Sequence, residues 1–216
     1  EEAFARLRVV VKSRNKDLVG RLFSAKIIEI ALANIPGFGP SNPIGDGKSF
    51  LAYWPALIDS SHITEYVHVD GETIEVSPTS QHGLPLVVAD FEPATVSAAP
   101  SGDTVGIPFG RLFGTRSGDK GGCANVGAWA KNDEAYGFLH SFLTIERLKT
   151  LLPDTAEFEI DRYELANVRS LNFFIKGILG EGVASSVRTD PQAKTLGEYL
   201  RAKIIDVPAT LAAQVK

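Results

Sequence analysis

The chain has 216 residues, with 22 Lys and Arg against 26 Asp and Glu, a formal net charge of −4. Hydrophobic residues make up 44% and charged residues 22%, ordinary globular usage that excludes wholesale disorder. The acidic balance argues against a dedicated nucleic-acid binder. A single Cys excludes an intrachain disulfide framework and any multi-Cys zinc site.

No apolar run reaches the ~20 residues that span a bilayer, and the N-terminus lacks the order of a signal peptide. The expected setting is therefore cytoplasmic, with no membrane partner. The chain opens on Glu1-Glu2 and contains no Met, so it is expected to be a piece of a longer or processed protein.

In chain order, Leu7 to Val11 is β-branched and reads as a buried strand. Val19, Leu22, Phe23, Ile27, Ile30 and Ala31 recur at three- and four-residue steps, predicting one helix of about 17 residues that Pro36-Gly37 stops. A Gly- and Pro-rich loop follows to Lys48. Phe50 to Trp54 and Ile63 to Val69 read as strands, and Asp70-Gly71 before Thr73–Val76 predicts a two-residue hairpin. Leu84 to Val88 reads as a further short strand. Pro93 to Gly106 carries turn formers and little apolar payload, which places a domain boundary near residue 103.

Beyond that boundary, Phe109–Phe113 and Ala124–Ala130 read as strands bracketing a Gly-rich loop from Gly114 to Gly122. Asn132 and Thr144 are candidate caps of two helices, the second ending before Pro153. Glu157–Leu165 alternates as a strand, Leu171–Ile178 is ambiguous, Val187–Thr189 is strand-like, and Leu196–Ile205 reads as a closing helix with Leu196, Leu200 and Ile204 on one face. The expected class is α+β. The first third reads as an α/β unit, and residues 104–216 read as a small mixed sheet with helices on one face, for which a ferredoxin-like or split βαβ layout fits.

The chemistry concentrates in Arg116-Ser117-Gly118-Asp119-Lys120-Gly121-Gly122, with Asn125 close behind. Glycines let a loop turn its N–H groups toward an anion. Arg116 supplies a bidentate fork and Lys120 a point charge, Asp119 would orient Lys120 or move a proton, and Asn125 adds a neutral donor. The alternative is a solvated turn that Asp119 caps. Neither a P-loop nor a dinucleotide fingerprint is present. Arg162-Tyr163-Glu164 with Asn167, and Arg188-Thr189-Asp190 with Lys194, are either a second tier of site residues or surface ion pairs. Cys123 reads as a buried small hydrophobe, and Trp54 and Trp129 as packed side chains. The four His show no metal-ligand spacing, so no metal is expected.

The Arg116–Gly122 run followed by Ala124-Asn125-Val126-Gly127 resembles the signature of the acyclic terpene utilisation family, the AtuA-like proteins. Arg162-Tyr163-Glu164-Leu165 with Asn167 and Leu171-Asn172-Phe173, then Ser186–Asp190 with Lys194, resemble that family's later blocks, so the likeness runs from about 105 to 206. Gly20–Ser24, Leu32–Phe38 and Tyr53-Trp54-Pro55 are similar to the close of the larger α/β domain that precedes the small one, which implies that residues 1–103 are the C-terminal portion of such a domain. The resemblance implies a ferredoxin-like C-terminal domain and a setting in catabolism of branched or isoprenoid acyl-CoA thioesters. It supplies no established catalytic set.

The combined expectation is an enzyme or enzyme subunit binding a small anionic or acyl-CoA substrate, with CoA entering only as part of that substrate and no separate cofactor. Asp119 and Lys120 are the expected catalytic pair. Arg116, Ser117, Gly118, Gly121, Gly122, Asn125, Arg162, Asn167 and Arg188 are expected to hold the substrate, with hydration, lyase and acyl-transfer chemistry all open. The rival expectation is an assembly domain docking on a second copy, a partner subunit or the missing N-terminal domain, by an exposed sheet edge or helix face.

Overall fold

The computed structural model describes residues 5–31, 33–42, 44–76 and 95–215, which fall into two compact units. The first holds residues up to Leu51 together with Val187–Thr189. Its helix α1 (Lys16–Val19) is capped by the Asn15 side chain, which accepts from the Asp17 N–H at 3.0 Å. Gly20 separates it from α2 (Arg21–Ile30). The single long helix expected here is thus broken at Gly20 and ends at Ile30, before the Pro36-Gly37 stop. Leu7–Val11 is not a strand: no described segment pairs with it, and an unpaired strand has no ladder to hold it. Arg8 instead donates to the Val187 carbonyl at 2.6 Å, and Val187–Thr189 forms no strand either.

The second unit carries the hairpin β1 (Glu65–Val69) and β2 (Glu72–Val76), turned by Asp70 and Gly71 at φ of 50° and 83°. That turn is the one expected, because both central positions of such a hairpin need positive φ. Phe50–Trp54 forms no strand, and Trp54 is 89% exposed, not packed. The expected strand at Leu84–Val88 lies outside the described residues.

From residue 104 the elements are β3 (Thr104–Pro108), α3 (Phe109–Leu112), β4 (Gly114–Lys120), β5 (Cys123–Trp129), α4 (Asp133–Phe142), α5 (Ile145–Leu151), β6 (Ile160–Leu165), β7 (Ser170–Ile175), α6 (Leu196–Ala202), β8 (Ile204–Pro208) and α7 (Ala209–Ala212). Two expectations change here. Phe109–Leu112 is a helical turn that buries Phe109 and Leu112, not a strand. The closing helix stops at Ala202, and Ile204 begins β8, which pairs with β3; the last turn of the 3.6-residue pattern was the first step of a two-residue one. Asn132 and Thr144 cap α4 and α5, accepting from the N–H groups of Ala135 and Arg147 at 2.8 and 3.1 Å.

The main sheet has the order β4-β5-β7-β6, and every neighbouring pair is antiparallel, so it is not the mixed sheet expected. The reason lies in the crossover. The helices α4 and α5 carry the chain from β5 to β6, which run in the same direction, and β7 inserts between them as an antiparallel partner of both. This is a split βαβ layout.

Alternation sorts the side chains. Ala124, Val126 and Ala128 of β5, and Leu171, Phe173 and Ile175 of β7, are fully buried under the helices with Leu139, Leu143, Leu148 and Leu200. Small residues sit opposite large ones, Ala124 against Ile175 and Ala128 against Leu171, so the layer interdigitates. The other face carries no described helix, and Trp129, Tyr163 and Leu165 on it are 41%, 50% and 44% exposed. No described helix is long and apolar enough to cross a membrane.

Candidate functional site: the outer edge of β4

The segment expected as a Gly-rich loop is a strand and its turn. Gly114–Lys120 pairs residue for residue with β5, from Gly114 opposite Trp129 to Lys120 opposite Cys123. Its glycines admit neighbours that a Cβ would obstruct. A Cβ at Gly114 would meet the Trp129 indole at 2.2 Å, and one at Gly122 the Gly180 carbonyl oxygen at 2.1 Å. The Gly121-Gly122 turn is tied down as well, since the Gly122 carbonyl accepts from the Leu179 N–H at 2.9 Å. Gly114 and Gly122 thus serve close packing and Gly121 the turn's positive φ, and the segment is not the anion-cradling loop expected.

Strand alternation then divides the expected site. Arg116 and Lys120 project to the helix-free face together with Asn125, whose Nδ2 donates to Asn172 Oδ1 at 3.0 Å. Ser117 and Asp119 project to the helix side. Asp119 therefore does not orient Lys120: the Lys120 ammonium donates to the Asp119 backbone carbonyl at 3.0 Å, and the Asp119 carboxylate lies 4.0 Å from Lys194 Nζ.

Ser117 is the joint between β4 and α6. Its hydroxyl donates to the Lys194 carbonyl at 3.1 Å and accepts from the Gly197 N–H at 2.9 Å, while Thr115 Oγ1 donates to the Gly197 carbonyl at 2.8 Å. Asp190 shapes the turn before the helix, its carboxylate accepting from the N–H groups of Lys194 and Thr195 and from the Thr195 hydroxyl, at 2.7–3.0 Å. These bonds bring Lys194 to the edge of β4, where its ammonium lies 4.0 Å from Asp119 Oδ1. A depression of about 170 Å³ at the strand edge is lined by Thr115, Arg116, Ser117, Lys194, Gly197 and Glu198. Liquid water occupies roughly 30 Å³ per molecule, so the space suits a carboxylate or phosphate group with some of its water. Arg116 and Lys194 are both among its lining residues, and Glu198 with the neighbouring Asp119 keeps the local charge from running strongly positive.

The remaining expected residues lie elsewhere. Arg162, on the opposite edge strand β6, points under the helices. Its guanidinium pairs with Glu164 and donates to the carbonyls of Leu143 and His140 at 3.2 and 2.8 Å, which ties off the C-terminal end of α4. His140 Nε2 stands 2.9 Å from Glu164 Oε2, a carboxylate neighbour that the His spacing did not reveal. The hydrogen bond with His140, then that with Arg162, holds the Glu164 carboxyl below the usual range. Burial, and then the Glu164 charge, push the Tyr136 hydroxyl up. Asn167 is exposed in the short turn between β6 and β7, and Arg188 belongs to the first unit. Cys123 is half-buried rather than buried, its Sγ accepting from the Gly177 N–H at 3.4 Å. Among the described residues no group of three or more His, Cys, Asp or Glu could hold a metal ion.

Lys194, named only with the second tier of candidates, is the member of that tier that reaches this edge. Its spacing from Asp190, in a turn that leads directly into a helix, is the sequence signal for it. A larger open groove of about 570 Å³ lies over Phe138, Phe142 and Arg147, away from every expected residue.

Two family models match the chain. The AtuA ferredoxin-like domain matches residues 107–206, and the acyclic terpene utilisation family protein AtuA matches residues 1–69. No curated protein and no solved structure matches. The first match spans β4 and α6 and so contains the whole of the depression. Two matches in chain order, one on either side of the hairpin's second strand, make this chain a member of the acyclic terpene utilisation, AtuA-like, family, with that family's ferredoxin-like domain.

Proposed function

We propose that the chain is an enzyme or enzyme subunit in the catabolism of branched or isoprenoid acyl-CoA thioesters, and that the edge of β4 binds an anionic group of the substrate. Arg116 offers a fork to a carboxylate or phosphate and Lys194 a second positive charge. Lys120 and Asn125 flank the same strand edge on the helix-free side. Asp119 beside Lys194 is the group that holds or moves a proton, and the bond made or broken is left to the substrate's chemistry. The observation that supports this reading is the convergence of Arg116 and Lys194 on one depression, pinned by Ser117 and Thr115.

A thermal-shift titration with acetyl-CoA, branched acyl-CoAs, citrate and phosphate tests it. A ligand at 100 times its Kd stabilises by about 2.7 kcal/mol, which a melting curve resolves. The expected result is a shift that Arg116→Ala and Lys194→Ala each reduce. No shift with any ligand, or one that survives both substitutions, overturns the assignment.

A second reading, an assembly domain docking on a partner chain, draws on a different observation: the exposed Trp129, Tyr163 and Leu165 on the helix-free sheet face.

A further inference from the structure

The strand register orders the helix-free face into cross-strand rows. The row at one end, Gly114, Trp129, Ser170 and Leu165, carries no charge. At the other end Lys120 and Cys123 continue into Lys176 and Glu159, whose backbones remain bonded just past the strands at 3.0 Å. Charge is also sorted across the sheet. The β4 edge presents Arg116 and Lys120, while the β6 edge presents Glu159 and Asp161, which Lys176 bridges at 2.6 and 3.1 Å.

We propose that this face binds the same face of a second copy of the chain, about a two-fold axis that runs along the strands. Such an axis lays β4 of one copy over β6 of the other and keeps each row on itself. The uncharged rows then meet, and Lys120 faces Glu159 of the second copy. Asp161 of the second copy falls between Arg116 and Lys120. An axis across the strands would instead set Lys120 and Glu159 against Trp129 and Leu165, removing charges from water with no partner for them. Shape agrees with the first arrangement. Gly114 has no side chain and the Trp129 indole occupies the space a Cβ would take, so the end of β4 is flat where Leu165 of the second copy lands.

The pairing is isologous, so every favourable contact occurs twice. Four strands about 4.8 Å apart and seven residues long give roughly 440 Å² of flat face per copy, before side-chain relief adds to it. That is about 880 Å² over the two copies, below the ~1,200 Å² total of stable specific interfaces, so the dimer is a weak and reversible one. The inference gives the assembly reading its partner and rests on that reading; it draws on Arg116, which the anion site also uses, whereas Lys194 belongs to the anion site alone.

Light scattering across a concentration series, together with cross-linking, tests it. Aligned sheets pack about 10 Å apart, which puts Cys123 about 11 Å from its mate between Cα atoms, within reach of a short bismaleimide. The wild-type chain should form a covalent dimer through its one Cys, and Cys123→Ser should not. Lys120→Glu and Glu159→Lys should each weaken the dimer by roughly tenfold or more, and the double variant should recover it. Circular-dichroism melts check that the variants fold, and the wild-type cross-link depends on no substitution. A chain that stays monomeric at every concentration overturns both this inference and the assembly reading. A dimer indifferent to both single reversals, or one that gives no Cys123 cross-link, overturns the inference alone and moves assembly to another surface.

Discussion

Ser117 bridges β4 and α6 with one hydroxyl, donating to the Lys194 carbonyl and accepting from the Gly197 N–H, at 7% exposure. Replacing it by Ala leaves both backbone groups short of that partner at a buried position. Ser117→Ala should cost about 1–3 kcal/mol in urea unfolding, the range for a buried donor or acceptor left unmet. Because Lys194 is positioned through the same bond, anion binding should weaken with it. A loss no larger than that of an exposed Ser→Ala control would show that the joint is made elsewhere. A second residue-scale prediction concerns acid. The carboxyl of Glu164 is held below its ordinary 4.5, first by the hydrogen bond with His140 and then by Arg162. Folding therefore favours the ionised form. The contribution is complete above about pH 4.5 and fades as pH falls through the lower, folded-state value. Glu164→Gln should flatten the acid limb of a stability–pH curve, modestly because Glu164 is 46% exposed. An unchanged slope would mean that the pair with His140 and Arg162 is no tighter in the folded chain than solvent contact.

Among the elements, what was legible in the sequence follows from where the signal is local. Asp70-Gly71 specifies its turn by φ alone, and Asn132 and Thr144 cap their helices by a bond spanning three residues. The strand β4 was not legible, because its glycines read as turn formers. Their real reason is contact with other parts of the chain, the Trp129 ring on Gly114 and the Lys194 ammonium at Gly118, as the Gly180 carbonyl is for Gly122 in the turn that follows. Once the segment is a strand, its alternation separates Asp119 from Lys120 and turns Ser117 toward the Lys194 carbonyl, a pairing across 77 residues that no local reading supplies. Leu7–Val11 failed in the opposite sense, with the right composition but no paired neighbour among the described residues. The β4–β5 turn is accordingly sensitive to one methyl. Gly122→Ala places a Cβ about two ångströms from a backbone oxygen that cannot rotate away, and should destabilise by about 1–3 kcal/mol. Gly121→Ala meets no neighbour but is strained at φ 62°, so it should cost less, of the order of 1 kcal/mol. Chemical unfolding of the two variants separates them, and equal costs would refute the close-approach account.

On the scale of the molecule, buried apolar side chains are confined to one stretch. Every buried hydrophobic residue described lies between Phe109 and Leu211, whereas the only buried residue described before Leu51 is Ser24, and α2 leaves Leu22, Ile28 and Ile30 more than half exposed. Backbone amides are protected from exchange in proportion to the free energy needed to open them, and that energy comes chiefly from buried apolar area. The two central strands β5 and β7 combine hydrogen-bonded neighbours on both sides with fully buried Val126 and Phe173, so they should open only in global unfolding. Phe173→Ala should then lower the protection of β5, β7 and α4 together, by an amount equal to its cost of about 3–5 kcal/mol. Residues 5–31, by contrast, have helical hydrogen bonds only from Lys16 to Ile30 and no buried apolar side chain among the described residues, and should exchange at nearly the same rate in wild type and Phe173→Ala. Native-state hydrogen exchange read by mass spectrometry resolves both segments in one experiment. If amides of α2 slowed to the level of β5, or lost protection in step with it, the apolar side chains of α2 would be contributing to the same cooperative unit, and the separation of the chain into two units would fail as an energetic statement.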